Sequence, residues 1–221
     1  MKLSNYIYRP HRFQNSVRSF CFILCFMSFF ANSQSVLVKE IDSDNLKTIV
    51  VDGNQIFNIS VYTSSVDRIK MKSQVDGEYQ SQFQIISKLQ NDSLFVDLEQ
   101  FSFTDIADDK RNAHKMVAVT LELEIPEYLN LNVFSDVGSV NLNGNFNFIF
   151  IELSQGYCIV KGSTNEAVIN TIDGNISVKT NNSLIEASSN HGEVSIDKFN
   201  NGTSIWKLQS INGNIAVAKL E

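Results

Sequence analysis

The C-terminal part of the chain, residues 131–221, repeats one short pattern at a nearly constant interval. Each copy contains a turn rich in Ser, Thr, Asn and Asp that ends in glycine, and apolar residues follow two and four positions later. The five glycines, which are separated by 18, 18, 18 and 21 residues, are Gly138, Gly156, Gly174, Gly192 and Gly213. A segment this short cannot bury its own apolar face, so neighbouring copies must stack to form a common core.

The apolar residues inside each copy alternate with other residues, as they do in a strand that has one face in the interior. The positions two residues after the glycines form one predicted core column, which contains Val140, Cys158, Ile176, Val194 and Ile215. A second strand precedes each glycine, with inward residues seven and five positions before it. The sequence therefore predicts an all-β fold whose C-terminal part is a β-solenoid of about five rungs of 18–21 residues.

The five glycines are predicted to form corners of this coil, because glycine adopts positive φ angles without steric cost. Two more glycines, Gly144 and Gly162, lie six residues after the first and the second of them. Three segments of six residues fill an 18-residue rung. We therefore expect a three-sided coil.

These repeated patterns follow the segment Ile125-Pro126-Glu127-Tyr128-Leu129-Asn130-Leu131, and together they resemble the bacterial putative adhesin family of cell-envelope β-solenoid proteins. The resemblance covers residues 117–221 well and the preceding segment loosely. It implies a β-solenoid fold and a place at the cell surface. The matching motifs are structural, so the resemblance transfers no catalytic or binding residue.

The preceding part, residues 34–116, contains strand-like segments about ten residues apart. Turn signals such as Asp52-Gly53-Asn54 and Asn91-Asp92-Ser93 divide them. This spacing is typical of an antiparallel sheet. We therefore predict an N-terminal antiparallel β module at residues 34–116 and a β-solenoid domain at 117–221, and the module either stands alone or continues the solenoid.

Residues 1–33 have the pattern of a secretory signal peptide. Residues 1–18 carry four basic residues and no acidic one, and an apolar run follows at residues 20–30. Small residues before Gln34 fit cleavage after Ser33. This pattern predicts export to the periplasm, the outer membrane surface or the extracellular space. The alternative is an uncleaved N-terminal anchor, which would then be the protein's membrane contact.

Cleavage would change both the charge and the cysteine content. The whole chain has 18 basic and 24 acidic residues, so loss of the four leader cations leaves 14 against 24, a net charge of −10. This charge argues against nucleic acid as a partner. Cys158 would be the one remaining cysteine, which excludes an internal disulfide. Its core position favours a buried, inert thiol over a nucleophile.

No catalytic, cofactor-binding or metal-binding residues are predicted. The loop at residues 101–115 holds three aspartates and His114, but their spacing matches no calcium or zinc motif. The repeat allows carboxylates such as Asp173 and Glu193 to be neighbours on adjacent rungs, and some β-solenoids cleave polysaccharides with such pairs, but a single solvated carboxylate is the default interpretation.

Three functions are consistent with this sequence. The first is a non-enzymatic envelope or secreted protein that binds a glycan or another surface protein. The second is a structural protein that self-associates through the exposed rung at its C-terminus. The third is a carbohydrate-active enzyme.

Overall fold

The computed structural model describes residues 35–76, 83–100, 118–199 and 202–220. These residues form β-strands and no helix, and the strands belong to two sheets of nine and eight. In this part of the chain there is accordingly no helix of the length and hydropathy that a membrane span needs. The proposed signal peptide and the loop at residues 101–115 lie outside the described residues.

Strands that are neighbours in each sheet are far apart in the sequence. In spatial order, the first sheet contains β1 (Ser35–Asp42), β4 (Arg68–Asp76), β7 (Ala118–Pro126), β3 (Asn58–Ser64), β9 (Ser139–Asn145), β11 (Cys158–Ser163), β13 (Ile176–Thr180), β17 (Ile215–Lys219) and β15 (Val194–Ile196). The second sheet contains β14 (Ser183–Ser189), β16 (Ser204–Ser210), β12 (Glu166–Asp173), β10 (Phe148–Gln155), β8 (Asn130–Ser135), β2 (Thr48–Asp52), β6 (Ser93–Gln100) and β5 (Phe83–Gln90).

From β8 onward the chain alternates between the two sheets. Each copy of the repeat places the strand before its glycine in the second sheet and the strand after it in the first sheet. Equivalent strands of the first three copies pair in parallel with an 18-residue offset, so that Val140 lies opposite Cys158 and Cys158 lies opposite Ile176. The inward side chains of both sheets form one hydrophobic core.

The fifth copy does not lie at the end of this stack. Strands β16 and β17 are inserted between the third copy (β12 and β13) and the fourth copy (β14 and β15). Ile215 therefore lies opposite Ile176 on one side and Val194 on the other. The expectation of an exposed C-terminal rung is wrong, because β14 and β15 occupy that end of the sheets.

This order decides how deeply each residue of the predicted core column is buried. Val140, Cys158, Ile176 and Ile215 are at most 1% exposed, whereas Val194 is 41% exposed. Val194 belongs to β15, which pairs with a strand on one side only in the described part of the chain. Its side chain therefore lacks the cover that a further copy provides elsewhere.

The turn glycines are required by the approach of neighbouring backbones. Only Gly156 of the five has a φ angle in the left-handed region, at 117°. A Cβ atom at Gly174 would overlap the carbonyl oxygen of Gly156, and one at Gly213 would overlap that of Gly174. The same overlap occurs between Gly192 and Gly213, and between Gly138 and Ile56. The predicted positive φ angle is thus found at one position, and close stacking explains the others.

The described strands of the repeat form two sheets instead of the three sides that we expected. Gly144 and Gly162 have positive φ angles of 129° and 149°, but they lie within β9 and β11 and are aligned with each other. The chain then passes the buried Phe146 or Thr164 and enters the next strand of the second sheet. Too few residues separate these strands to form a third strand in each copy.

The strands before residue 116 extend the same two sheets. Strand β2 pairs in parallel with β8, and β3 pairs in parallel with both β7 and β9. Antiparallel pairs also occur, namely β1 with β4, β4 with β7 and β5 with β6. The N-terminal half is thus mixed where an antiparallel module was expected, because the turn at Gly53 leads from one sheet to the other instead of closing a hairpin.

Candidate ligand-binding groove

A buried hydroxyl group shapes the turn in most copies of the repeat. Ser135 lies three residues before Gly138, and its Oγ accepts a hydrogen bond from the Gly138 amide at 2.8 Å. Ser210 and Gly213 form the same contact at 2.8 Å, and Ser189 and Gly192 form it at 2.9 Å. These hydroxyls also donate to a glycine carbonyl of a neighbouring turn, as Ser135 does to Gly53 at 2.9 Å. The hydrogen bonds hold the turns of successive copies in the same shape.

The stacked turns form one side of a groove of about 660 Å³ that crosses the strands of the second sheet. Its lining comes from the positions four, three and two residues before each turn glycine, together with Asn54. This volume falls within the range of ~300–1,000 Å³ that is typical of small-ligand sites. The groove is therefore the candidate functional site.

Two columns of outward side chains line the groove. The column on the strands contains, in stacking order, Phe134, Glu152, Asn170, Gln209 and Ser188. The column on the turns contains Asp136, Ser154, Ile172, Ile211 and Asn190. The two columns span four strand spacings of ~4.8 Å each, or about 19 Å in total.

Polar side chains on the strand column lack partners within the protein. In the described part of the chain, the side chains of Glu152, Asn170 and Gln209 make no hydrogen bond or ion pair. On the turn column, one carboxylate oxygen of Asp136 accepts a hydrogen bond from Ser154 at 3.4 Å. The groove thus presents donors and acceptors that only solvent or a ligand can satisfy.

The amides at the opposite end of the same strands behave differently. Asn147 donates to Asn130 at 2.6 Å, and Asn165 donates to Asn147 at 2.8 Å, so the three amides form a ladder. Such ladders stabilise stacked strands. Because aligned amides are able to pair in this protein, the unpaired amides of Asn170 and Gln209 distinguish the groove.

Apolar surface alternates with these polar groups. Phe134 is 37% exposed at one end of the groove, and its ring packs against Phe150 with 5.7 Å between centroids. Ile172 and Ile211 are 47% and 41% exposed on the turn column. The contact with Phe150 fixes the ring of Phe134, so the groove offers an ordered aromatic face as well as hydrogen-bonding groups.

The groove is acidic. Glu152 and Asp136 line it, and no Lys, Arg or His is among its lining residues in the part of the chain that the structure describes. Lys207 lies on the same outward face of β16 as Gln209, two residues before it, but is not among the lining residues, and it pairs with Glu166 at 3.8 Å. An anionic ligand would find no countercharge in this groove.

Three groups that do not line the groove have shifted pKa values. Complete burial raises the pKa of the Cys158 thiol to about 12. Partial burial, followed by the carboxylates of Glu124 and Glu122, raises the pKa of Tyr62. The hydrogen bond and the charge of Lys47 lower the pKa of Asp92. The protonated thiol of Cys158 is not a nucleophile at neutral pH.

The two carboxylates that the repeat allowed to be neighbours are separated. Asp173 is the last residue of β12 in the third copy and Glu193 precedes β15 of the fourth, and the fifth copy lies between these two copies. Asn212 of the fifth copy donates to Asp173, and the Glu193 amide donates to Asn214 at 2.8 Å. The pair of adjacent carboxylates is therefore not formed. Among the described residues, no group of three or more His, Cys, Asp or Glu is placed to hold a metal ion.

The residues singled out from the sequence are structural, and those of the groove were not predicted. The turn glycines and the core column support the stack, whereas the groove is lined by the variable positions just before each glycine. A signal was present in the sequence. Ser135, Thr171, Ser189 and Ser210 all lie three residues before a repeat glycine, and this regularity marks the turns that form the groove.

Comparison with known proteins gives matches of structure alone. No protein-family model matches the chain, and no curated protein matches it. The fold is similar to the crystal structure of a putative cell adhesion protein from Clostridium sporogenes, with a TM-score of 0.62 and 12% identity over 85% of this chain and 100% of that chain. A putative adhesin from Bacteroides fragilis also matches, with a TM-score of 0.39 and 11% identity over 84% of this chain and 97% of that chain.

Proposed function

We propose that this protein is an exported, non-enzymatic β-solenoid that binds a glycan outside the cytoplasm, as an adhesin does. The observation that carries the proposal is the groove, in which unpaired carboxylate and amide groups lie beside exposed apolar side chains. The leader-like pattern of residues 1–33 supports export. The similarity of fold to a putative cell adhesion protein supports an adhesive role.

A glycan array tests this proposal. The purified, labelled protein should bind at least one glycan saturably, and the heat-denatured protein should not. Incubation with the bound glycan should release no new reducing ends. Release of reducing ends would make the protein a carbohydrate-active enzyme. Adhesion to cells that is lost when the cells are treated with protease would make a surface protein the ligand.

Self-assembly is a second candidate function, which the end of the stack favours. Val194 and Ile196 of β15 are 41% and 42% exposed, whereas the equivalent Ile215 and Val217 are 1% and 3% exposed. Exposed edge strands of this kind pair readily with another chain. A second copy that covers β14 and β15 would bury these side chains.

Sedimentation velocity of two variants tests self-assembly. Ile196→Lys should reduce any association, because it places a charge at the end of the stack. Ile159→Lys is the matched control, since Ile159 is also 42% exposed but lies on β11, which is paired on both sides. A wild-type protein that remains monomeric at high micromolar concentration would eliminate this second function.

A further inference from the structure

We infer that the groove binds an uncharged, extended oligosaccharide that lies across the strands, from Phe134 towards Ser188. This inference rests on the proposed function and adds the site, the orientation and the charge class of the glycan. Four properties of the groove support it: its free hydrogen-bonding groups, its exposed apolar side chains, its charge and its length.

The hydrogen-bonding groups match those of a sugar chain. Sugar hydroxyls both donate and accept, whereas the Glu152 carboxylate accepts only and the amides of Asn170 and Gln209 do both. These three groups are neighbours on successive strands and are unpaired among the described residues. A ligand with hydroxyls along its length can satisfy each of them in turn.

The apolar side chains of the groove match the apolar face of a sugar ring. The C–H face of a pyranose is apolar and packs against aromatic and aliphatic side chains. Phe134 offers such a face beside Glu152, and Ile172 and Ile211 offer aliphatic surface beside Asn170 and Gln209. Each of these apolar side chains therefore lies beside a hydrogen-bonding side chain of the same strand or of the adjacent strand.

The charge of the groove selects the class of sugar. Glu152 and Asp136 repel carboxylated or sulfated glycans, and no cation among the described lining residues offsets them. The net charge of −10 that remains without the leader also repels anionic glycans. The ligand is therefore uncharged.

The direction of the groove disfavours a peptide. An extended peptide binds most readily by adding a strand to a free sheet edge, where backbone groups are unpaired. The groove instead crosses β8, β10, β12 and β16, each of which is paired on both sides, before it reaches the edge strand β14 at Ser188. On the four paired strands, side chains alone are available to a ligand. The length of about 19 Å, from four strand spacings, suits several linked sugar rings.

Isothermal titration with five uncharged hexasaccharides tests the inference: cellohexaose, xylohexaose, mannohexaose, laminarihexaose and chitohexaose. At least one should bind the purified protein. The double variant Asn170→Ala/Gln209→Ala should bind it at least tenfold more weakly. The control is Asn143→Ala, which removes an exposed amide from β9 of the first sheet. This control should bind as the wild type does.

Each alternative result of these measurements would overturn a specific part of the inference. Equal binding by the double variant and the control would remove the groove as the site and leave glycan binding in place. Binding of polygalacturonate or heparin alone would overturn the uncharged class. If no glycan binds the wild type, neither on the array nor in titration, the inference and the proposed function both fail. Circular dichroism of the double variant checks that it is folded.

Discussion

Gly174 lies where two copies of the repeat approach each other closely, since a Cβ there would overlap the carbonyl oxygen of Gly156. Its own φ angle is not in the left-handed region. Sequence alone suggested a requirement for positive φ, which is the commonest reason for glycine in a turn. The contact that requires glycine here is between residues 18 apart, and it becomes visible only when the copies are stacked.

Substitution at Gly174 should therefore be far more costly than at a nearby outward position. We expect Gly174→Val to lower the free energy of unfolding by about 3 kcal/mol, because the neighbouring backbone must move. Ser177→Val, on the outer face of β13, should change it by no more than about 0.5 kcal/mol. Urea denaturation of both variants measures the difference. Equal midpoints would contradict the stacking of Gly174 on Gly156.

The thiol of Cys158 should be unreactive in the native protein. Its side chain is fully buried between Val140 and Ile176, and burial raises its pKa to about 12. The neutral thiol is therefore the dominant form at any pH well below that value, and raising the pH from 7 to 9 should leave the native protein unlabelled. Reaction with Ellman's reagent across a urea titration should appear only as the protein unfolds. Rapid labelling without urea would place this residue outside the core.

At the scale of strands, the period-two alternation of apolar residues was sufficient to predict which segments form strands. The strand-like segments predicted within residues 34–116 occur as strands, for example β1, β4 and β6. Pairing was harder to predict, because the turn at Gly53 looks like a hairpin turn but joins the two sheets. Turns between the sheets are held by a hydroxyl three residues before the glycine in most copies of the repeat, as Ser135 and Ser210 show.

Burial along one column of strands should set the cost of the same substitution. Val178 of β13 is fully buried between neighbours on both sides, whereas Val194 of β15 is 41% exposed. We expect Val178→Ala to cost about 2 kcal/mol of unfolding free energy, and Val194→Ala less than half as much. Thermal unfolding of the two variants gives the comparison. A larger loss for Val194→Ala would show that β15 is covered in solution.

At the scale of the whole molecule, the regular spacing predicted the stack but not its order. The step from Gly192 to Gly213 is 21 residues where the others are 18, and this longer step accompanies the return of the chain into the stack. No pattern in the sequence distinguished insertion from continuation, because the fourth and fifth copies carry equivalent apolar residues and either copy could end the stack. One part of the groove was equally hidden, since Gln209 lies between Asn170 and Ser188 only because the fifth copy is placed between the third and the fourth.

Removal of the fifth copy should therefore disrupt the fourth copy as well. A chain that ends at residue 202 lacks β16 and β17, which are the partners of β14 and β15. We expect hydrogen exchange in β14 and β15 to rise to the rate of an unfolded chain, because their backbone amides lose the strands to which they bond. Exchange in β8 and β9, which lie several strands away, serves as the internal control and should remain slow. Slow exchange in β14 and β15 of the truncated chain would contradict this prediction, because it would mean that the fourth copy packs directly on the third when the fifth copy is absent.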